Sequence, residues 1–522
     1  MDEAYKSTRQ KLIDVLTHLY SGDKSLAEQA VSQIGTDTPS LQKDLPVRIL
    51  KGGTYKIKGY YLEDNDLTDI RGASTLITEV QENIVPNALW EIIGFDPILY
   101  NGGGNLLALV PENCPENLGE ILEAAAQNIL LTAQSAYYVS EPIKLSELLG
   151  KEYNQLIAKK ETELEQRKKC KLIFEQAPAS QFVGKELFSN IRVDAAPVSD
   201  AGFCECCKKR IALYHSSKKS VCGGCLHKMA VGKEQKNRYV DKYNARTGAN
   251  AEAVDSLADI HKDHIALVYA DGNNMGGILQ NIKDICSMMD FSRFVKSAME
   301  NIVFDAIKAR DINKFEIVAI GGDDVFILVP GDKAVRLAAE MIRLYQERFS
   351  EKFKGTNSTL SVGICIAKNK TPVKVMLETA EEELSAAKNL VKKLGDTKGS
   401  LSFRVLDTYE GASADRGSST LLPYSFENAE KILRYADNFQ DKTMKTRLQA
   451  LSSAFRHADL PEEASLFFRY VNAKETETKR RIKNPPQLNG YKADNGYYTP
   501  DNNPSENHYL WDDLLDLIAY GK

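Results

Sequence analysis

The sequence predicts an α+β protein: two domains of β-α-β-β-α-β order, a four-cysteine knuckle between them, and a helical C-terminal domain. Three observations carry this. In Val318-Ala-Ile-Gly-Gly-Asp-Asp-Val-Phe-Ile-Leu-Val-Pro330, two apolar, β-branched runs flank Gly321-Gly322-Asp323-Asp324, which reads as a buried hairpin with acidic residues at its turn. An earlier segment, Gly102-Gly-Gly-Asn-Leu-Leu-Ala-Leu-Val-Pro111, repeats that pattern down to the terminal proline, with Gly104 and Asn105 where the later copy has Asp323 and Asp324. Between the copies lie Cys204-x₂-Cys207 and Cys222-x₂-Cys225.

Taken in chain order, residues 4–34 read as helical, with Leu12, Val15, Leu16 and Leu19 at 3–4 spacing and Gly35 as a stop. Tyr55–Leu62 reads as a strand, Leu67–Val80 as a helix, and Pro97–Pro111 as the first hairpin. Glu116–Leu131 is helical, and Glu141–Phe174 continues as a Lys/Glu-rich helix whose balanced charges predict a solvated face. After the cysteines, His264–Asp271 is a strand running into Asp271-Gly-Asn-Asn-Met-Gly-Gly277. A helix (Phe291–Ala309), the acidic hairpin, a helix (Asp332–Phe353), a strand (Leu360–Ala367), a helix (Pro372–Leu394) and a short strand (Ser400–Val405) follow. That order is the ferredoxin-like split βαβ arrangement. From about Leu422 the pattern is helical to the end, apart from a polar break at 484–507 that reads as a mobile loop. The domain division this predicts is 1–200, 201–258, 259–410 and 411–522.

The chain has 522 residues, 43% hydrophobic and 27% charged, as for a folded rather than a disordered protein. Sixty-seven Lys and Arg against 72 Asp and Glu leave a net charge of −5, so no global basic signature marks a nucleic-acid binder. No apolar run suits a bilayer span, and the N-terminus lacks the basic start of a secretory signal. Five of nine cysteines cluster at Cys204, Cys206, Cys207, Cys222 and Cys225, which favours metal binding in a reducing cytoplasm over a disulfide framework. Cys114, Cys170, Cys286 and Cys365 read as packed thiols.

The acidic turn carries the chemistry. In a split βαβ sheet the end of the first strand lies beside the turn of the central hairpin, so Asp271, Asp323 and Asp324 are expected to converge on Mg²⁺ or Mn²⁺. Adjacent carboxylates repel one another unless a cation sits between them. An isolated acidic turn on a surface hairpin is the plain alternative. Asn273, Asn274, Gly276 and Gly277 would floor a base or phosphate, and Lys388 would reach a triphosphate; ordinary turn and surface roles stand beside both readings. Paired CxxC units place Cys204, Cys207, Cys222 and Cys225 around structural Zn²⁺; Cys206 could replace one first-knuckle ligand and His215 or His227 could intrude, with the bystander reading preferred for all three. Lys479-Arg-Arg-Ile-Lys483 would touch RNA or edge a surface loop.

With Gly321-Gly-Asp-Asp324, Asp271-Gly-Asn-Asn-Met-Gly276, the degenerate upstream copy and the knuckle, the chain resembles the large polymerase-like subunit of type III CRISPR effector complexes. Asp69-Ile-Arg-Gly-Ala-Ser74 followed by Gly102–Asn105 looks like that family's first palm domain, and Phe203–Cys207 with Cys222–Cys225 like its zinc knuckle. The resemblance covers about residues 50–410. It implies two nucleotidyl cyclase-like palms making cyclic oligoadenylate from ATP, with crRNA, target RNA and other effector subunits as partners and no membrane. By it, Asp271, Asp323 and Asp324 would carry Mg²⁺ and Gly321 and Gly322 would border the phosphates. Ser74 and the Gly102–Asn105 turn, Gly103 included, would hold a second ATP. Many relatives begin with an HD nuclease; here no His-Asp dipeptide occurs and only His18 precedes residue 200, so DNA cleavage is not expected. Two other readings remain: a GGDEF-like cyclic dinucleotide synthase, against which Asp324, followed by Val325, stands where that motif has Glu, and a non-catalytic RNA-binding scaffold.

Overall fold

The computed structural model describes residues 3–169, 196–198, 202–216, 219–353, 358–395, 398–406, 420–439, 442–458, 461–474, 482–494, 497–503 and 507–520. The chain divides into two compact units. One comprises Met1–Arg238, Met275–Glu300 and Val318–Asp323; the other comprises Tyr239–Asn274, Asn301–Ile317 and Asp324–Lys522. Cys170 and most of the basic stretch 479–483 lie outside the described residues.

The first unit holds a sheet of β1 (Pro46–Tyr55), β2 (Ile98–Gly102), β3 (Asn105–Pro111) and β4 (Gln134–Val139) in the order β2-β3-β1-β4. All its main pairings are antiparallel, with Ile49 opposite Leu109 and Lys51 opposite Tyr138. Helices Leu67–Glu79 and Leu118–Leu130 supply the two crossovers, which completes β-α-β-β-α-β. The first strand is thus Pro46–Tyr55 and not Tyr55–Leu62. Lys56 takes a left-handed φ of 55°, which ends the strand, and Ile57–Tyr61 is a helical turn. The N-terminal stretch is two helices, Glu3–Leu19 and Lys24–Ser32, with Asp23 capping the second through Leu26 N. Leu12, Val15 and Leu16 from the first helix pack with Ile49, Leu107 and Leu109 in one core.

Helix Leu67–Glu79 runs on through a π-helical turn, Val80–Ile84, into Val85–Ile93. Such a turn widens the backbone ladder and frees a carbonyl. Here Asn101 Nδ2 donates to Gln81 O. The same helix crosses Gly223–Glu234 of the knuckle at Gly72 and Gly232. A Cβ on Gly72 would stand 1.9 Å from Lys228 O, and one on Gly232 1.9 Å from Thr68 O. Backbone lies against backbone, so neither helix can yield locally. Gly72→Ala is expected to destabilise the protein by about 1–3 kcal/mol, read as a lower midpoint in chemical denaturation.

The Lys/Glu-rich segment is helical over Leu145–Leu149 and Tyr153–Lys169, but the second helix is not simply solvated. Tyr153, Lys160 and Leu164 are buried, and Arg167 donates to Glu123 Oε1 at 2.9 Å. Paired charges and long apolar stems let a polar-looking helix cover a sheet.

The second sheet contains β5 (His264–Asn273), β6 (Glu316–Gly321), β7 (Asp324–Pro330), β8 (Thr359–Lys368), β9 (Ser400–Leu406) and β10 (Tyr424–Ser425), in the order β6-β7-β5-β8-β9-β10. Its first four strands repeat the order of the first sheet. β9 adds in parallel to β8 behind the helix Val373–Lys393. The central strands are buried on both faces, which accounts for their unbroken apolar runs.

The C-terminal region is helical over Phe426–Ala436, Lys442–His457, Pro461–Ala473 and Trp511–Tyr520. The expected loop at 484–507 instead contains most of a small antiparallel sheet, Tyr491–Asp494, Tyr497–Pro500 and His508–Tyr509. Its tyrosines supply the reason: Tyr497, Tyr498 and Tyr509 are buried, with the Phe455 and Tyr497 rings 4.6 Å apart and tilted by 34°.

Candidate functional site

Both hairpins are two-residue turns in the same register. β2 and β3 meet around Gly103–Gly104, and β6 and β7 around Gly322–Asp323. Gly103, Gly104 and Gly322 have φ of 59°, 77° and 74°, a region that glycine enters without strain. The internal repeat read from the sequence is therefore a repeat of strand ends and turns.

In the second unit, Val325 pairs with Ala270 as the last residues of the β5–β7 ladder. Asp324 and Asp271 stand one step beyond, on the same face as Tyr269. Tyr269 OH donates to Asp324 Oδ2 at 3.3 Å. Burial, then the Asp324 and Asp271 charges, push the Tyr269 phenol well above its usual range, so it remains a donor. Lys388, on helix Val373–Lys393, donates to Asp271 Oδ2 at 2.5 Å, with the two side chains 32% and 28% exposed. Lys388 was expected to face a triphosphate; it meets the carboxylate first.

The Asn/Gly turn after β5 divides in role. Asn273 is buried, donating to Thr359 Oγ1 and accepting from Ser361 Oγ, each at 2.9 Å, so its amide ties β5 to β8. Asn274 is exposed at φ 58°, and Gly276 is exposed with open space where a Cβ would stand. These two remain available to a ligand, whereas Asn273 is committed to the sheet.

Within the first unit, the two turns touch. A Cβ on Gly103 would lie 3.3 Å from Gly321 O, and one on Gly322 3.8 Å from Gly103 Cα. Gly102, Gly103, Asn105, Gly321, Gly322 and Asp323 line a cavity of about 530 Å³. That volume suits a nucleotide-sized molecule. Its other walls include Tyr100, Met275, Phe291 and the ion pair of Lys51, a buried lysine, with Glu161. Lys51 and Glu161 were not singled out in the sequence; a lysine followed by two glycines gives no pattern that marks a pocket. Ser74 does not line this cavity. It is 4% exposed and its hydroxyl donates to Val318 O, which holds helix Leu67–Glu79 against the end of β6.

The knuckle carries a short antiparallel sheet, with Tyr214–Ser216 paired to Ala196–Pro197 and to Lys219–Val221, followed by helix Gly223–Glu234. Cys204, Cys207, Cys222 and Cys225 are all buried, with their sulfurs within 4.8 Å of one another. Four thiols at that spacing fit a closed structural zinc site. The Cys225 thiol first, and the Arg210 guanidinium after it, draw Cys222 down to about 3. Arg210 Nε donates to Cys222 Sγ at 3.4 Å, and its other nitrogens donate to Glu63 at 3.1 and 2.7 Å. Cys206 stands outside the four and belongs with Asp64 and Asp69. Burial, then the Asp64 carboxylate, push Asp69 up to about 8. Cys114, Cys286 and Cys365 are packed thiols, as their isolation in the sequence predicts.

Among the described residues no helix is long and apolar enough to cross a membrane. No curated protein matches the chain. Residues 264–394 match the family model for Cas10/Cmr2, second palm domain. Among solved structures, Csm1 of T. onnurineus is 14% identical with a TM-score of 0.57, over 92% of this chain and 70% of that one. The apo Csm1–Csm4 cassette is 15% identical with a TM-score of 0.56, over 95% and 72%. The cassette in complex with AMPPNP is 17% identical with a TM-score of 0.55, over 88% and 71%. Residues 264–394 are thus similar to the second palm domain of Cas10/Cmr2, in a chain whose fold is similar to that of Csm1.

Proposed function

We propose that the chain is the palm subunit of a type III CRISPR effector, a nucleotidyltransferase that joins ATP into cyclic oligoadenylate when target RNA is bound. The observation that carries this reading is the placement of Asp271 and Asp324 opposite one another at adjacent strand ends. In sequence Asp324 directly follows the Gly321–Asp323 turn, whose residues line a nucleotide-sized cavity. The reading is also supported by the solved Csm1–Csm4 cassettes in complex with AMPPNP, pppApApA, cA3 and cA4. A Csm4-like subunit, crRNA and target RNA are the partners it implies.

Asp271, Asp323 and Asp324 offer hard oxygen donors, the set that Mg²⁺ or Mn²⁺ takes, and bound ions would neutralise charge on the triphosphate. Gly321 and Gly322, having no side chains, would let phosphates approach the turn. Lys388 would hold Asp271 paired before substrate arrives and turn to the triphosphate afterwards. The Gly102–Asn105 turn, without carboxylates, would position the second ATP. The 3′ hydroxyl of one ATP would attack the α-phosphorus of the other, forming one P–O bond as pyrophosphate leaves. The proposed division is a first palm within 1–200, the knuckle at 201–258, the second palm at 259–410 and a C-terminal domain at 411–522.

Labelled ATP, Mg²⁺ and target RNA incubated with the purified effector complex are expected to give oligoadenylate resolved by chromatography. Intact ATP binding without any oligoadenylate would sink the proposal. A GGDEF-like dinucleotide synthase is disfavoured because Asp324 stands where that motif has Glu, and the family match of this segment is to the Cas10/Cmr2 second palm. A guanine dinucleotide product from a nucleotide panel would restore that reading.

A further inference from the structure

We propose a second cation site, separate from the four-cysteine knuckle, in which the Asp64 and Asp69 carboxylates and the Cys206 thiol take a zinc-class divalent ion. The three side chains come from two places in sequence. Asp66 caps helix Leu67–Glu79 by accepting from Thr68 N at 2.9 Å, which places Asp69 in the first turn. The tight crossing at Gly72 and Gly232 presses this helix against the knuckle, so Asp69 is only 2% exposed. Cys206, between two knuckle cysteines in sequence, is 7% exposed.

One ligand atom from each of Asp64, Asp69 and Cys206 lies within 4.8 Å of the others. Neither carboxylate oxygen of Asp69 meets a hydrogen-bond donor, although both are buried. Asp64 Oδ1 accepts from Asn65 N at 2.7 Å, while its buried Oδ2 has no hydrogen-bond donor. A buried carboxylate without donors is costly, and placing a second carboxylate and a thiol beside it raises that cost. Lys219 contributes one charge, at 4.0 Å from Asp64 Oδ2 and 3.9 Å from Asp66 Oδ2, and is 40% exposed. It supplies neither oxygen of Asp69 with a hydrogen bond.

The donor set chooses the ion. A thiolate with two carboxylates suits Zn²⁺, whereas Mg²⁺ and Ca²⁺ prefer oxygen alone. Around tetrahedral Zn²⁺ the three donors would stand roughly 3.3–3.8 Å apart, so the cluster closes by about 1.5 Å at most on binding. Three protein ligands leave a fourth position for water, unlike the closed cysteine site. The ion would cross-link the start of helix Leu67–Glu79 to the knuckle.

The test is zinc stoichiometry on the full-length protein, by elemental analysis after titration with Zn²⁺ and removal of free metal. The wild type is expected to hold about two equivalents, and Asp69→Asn and Cys206→Ser about one each. In both variants the remaining equivalent keeps the tetrathiolate absorption of a Co²⁺-substituted knuckle. Saturation of the wild type at one equivalent would overturn the proposal. So would unchanged stoichiometry in Asp69→Asn, the result expected if Asp64 and Asp69 merely share a proton. Loss of the tetrathiolate signature in Cys206→Ser would instead make Cys206 a knuckle ligand and equally overturn it. Far-UV circular dichroism of both variants checks that each is folded, and Cys206→Ser decides if Asp69→Asn is not.

Discussion

Asp324→Asn is expected to cut oligoadenylate synthesis by at least about a hundredfold while leaving the fold intact. The size follows from losing a charged group placed where triphosphate charge must be held, the kind of contact whose removal costs ~10²–10³ in rate. The fold is expected to survive because Asn keeps the shape, and Tyr269 OH can still donate to its carbonyl oxygen. Asp271→Asn is expected to do the same with one difference. Lys388 then loses its 2.5 Å carboxylate partner, so ATP affinity changes as well as rate. Tyr269→Phe removes only the hydroxyl that orients Asp324, and a loss of about tenfold is expected. The measurement is initial rate of product formation by the purified complex, with ATP binding measured separately and thermal unfolding as the control. An Asp324→Asn complex that synthesises product at the parental rate would remove this carboxylate from the chemistry.

How much of this was legible beforehand depended on whether a residue's job is local. The two hairpins were legible because their strands are continuous apolar runs and their turns need glycine. That combination has few other uses. The order of the second palm was legible for the same reason, and the four knuckle cysteines because CxxC spacing is itself the constraint. The strand Pro46–Tyr55 was not legible, since Arg48, Lys51, Gly52 and Gly53 interrupt the pattern. The structure explains each interruption by a partner far along the chain. Lys51 pairs with Glu161, and a Cβ on Gly52 would strike Tyr137 and Ala136. Ser74 and Asn273 show the converse failure. Both sit in motifs that suggest a ligand, yet their polar atoms are taken by Val318 O and by Thr359 and Ser361. A hydrogen bond to a distant strand leaves no trace in sequence. Asp69 was read only as part of the first-palm motif, because a single acidic residue in a helix's first turn is what the helix dipole favours anyway.

Glu63→Gln is expected to cost about 3 kcal/mol, and to lower the thermal midpoint by roughly 10 °C. Glu63 follows the turn after β1 and is 9% exposed; Lys228, on the knuckle helix Gly223–Glu234, is 2% exposed. Their atoms meet at 2.6 Å, Lys228 Nζ also donates to Tyr60 O at 2.9 Å, and it lies 3.7 Å from the Tyr60 ring centre. Arg210 completes the group with two bonds to the same carboxylate. Two cations therefore depend on one anion, in a place where water does not reach Lys228. Replacing Glu63 by a neutral amide of the same shape leaves the buried Lys228 charge uncompensated, while Arg210 keeps its bond to Cys222 Sγ. The penalty is that of an unpaired buried charge, not that of a lost surface bridge, which would be worth under about 1 kcal/mol. Adding Lys228→Met to Glu63→Gln is expected to restore part of the loss, because the buried charge goes with its partner. A Glu63→Gln protein less than 1 kcal/mol weaker than the parent, by chemical denaturation, would mean that water screens this network. In that case the glycine crossing at Gly72 and Gly232, and not the ion cluster, would be what holds the knuckle helix in place.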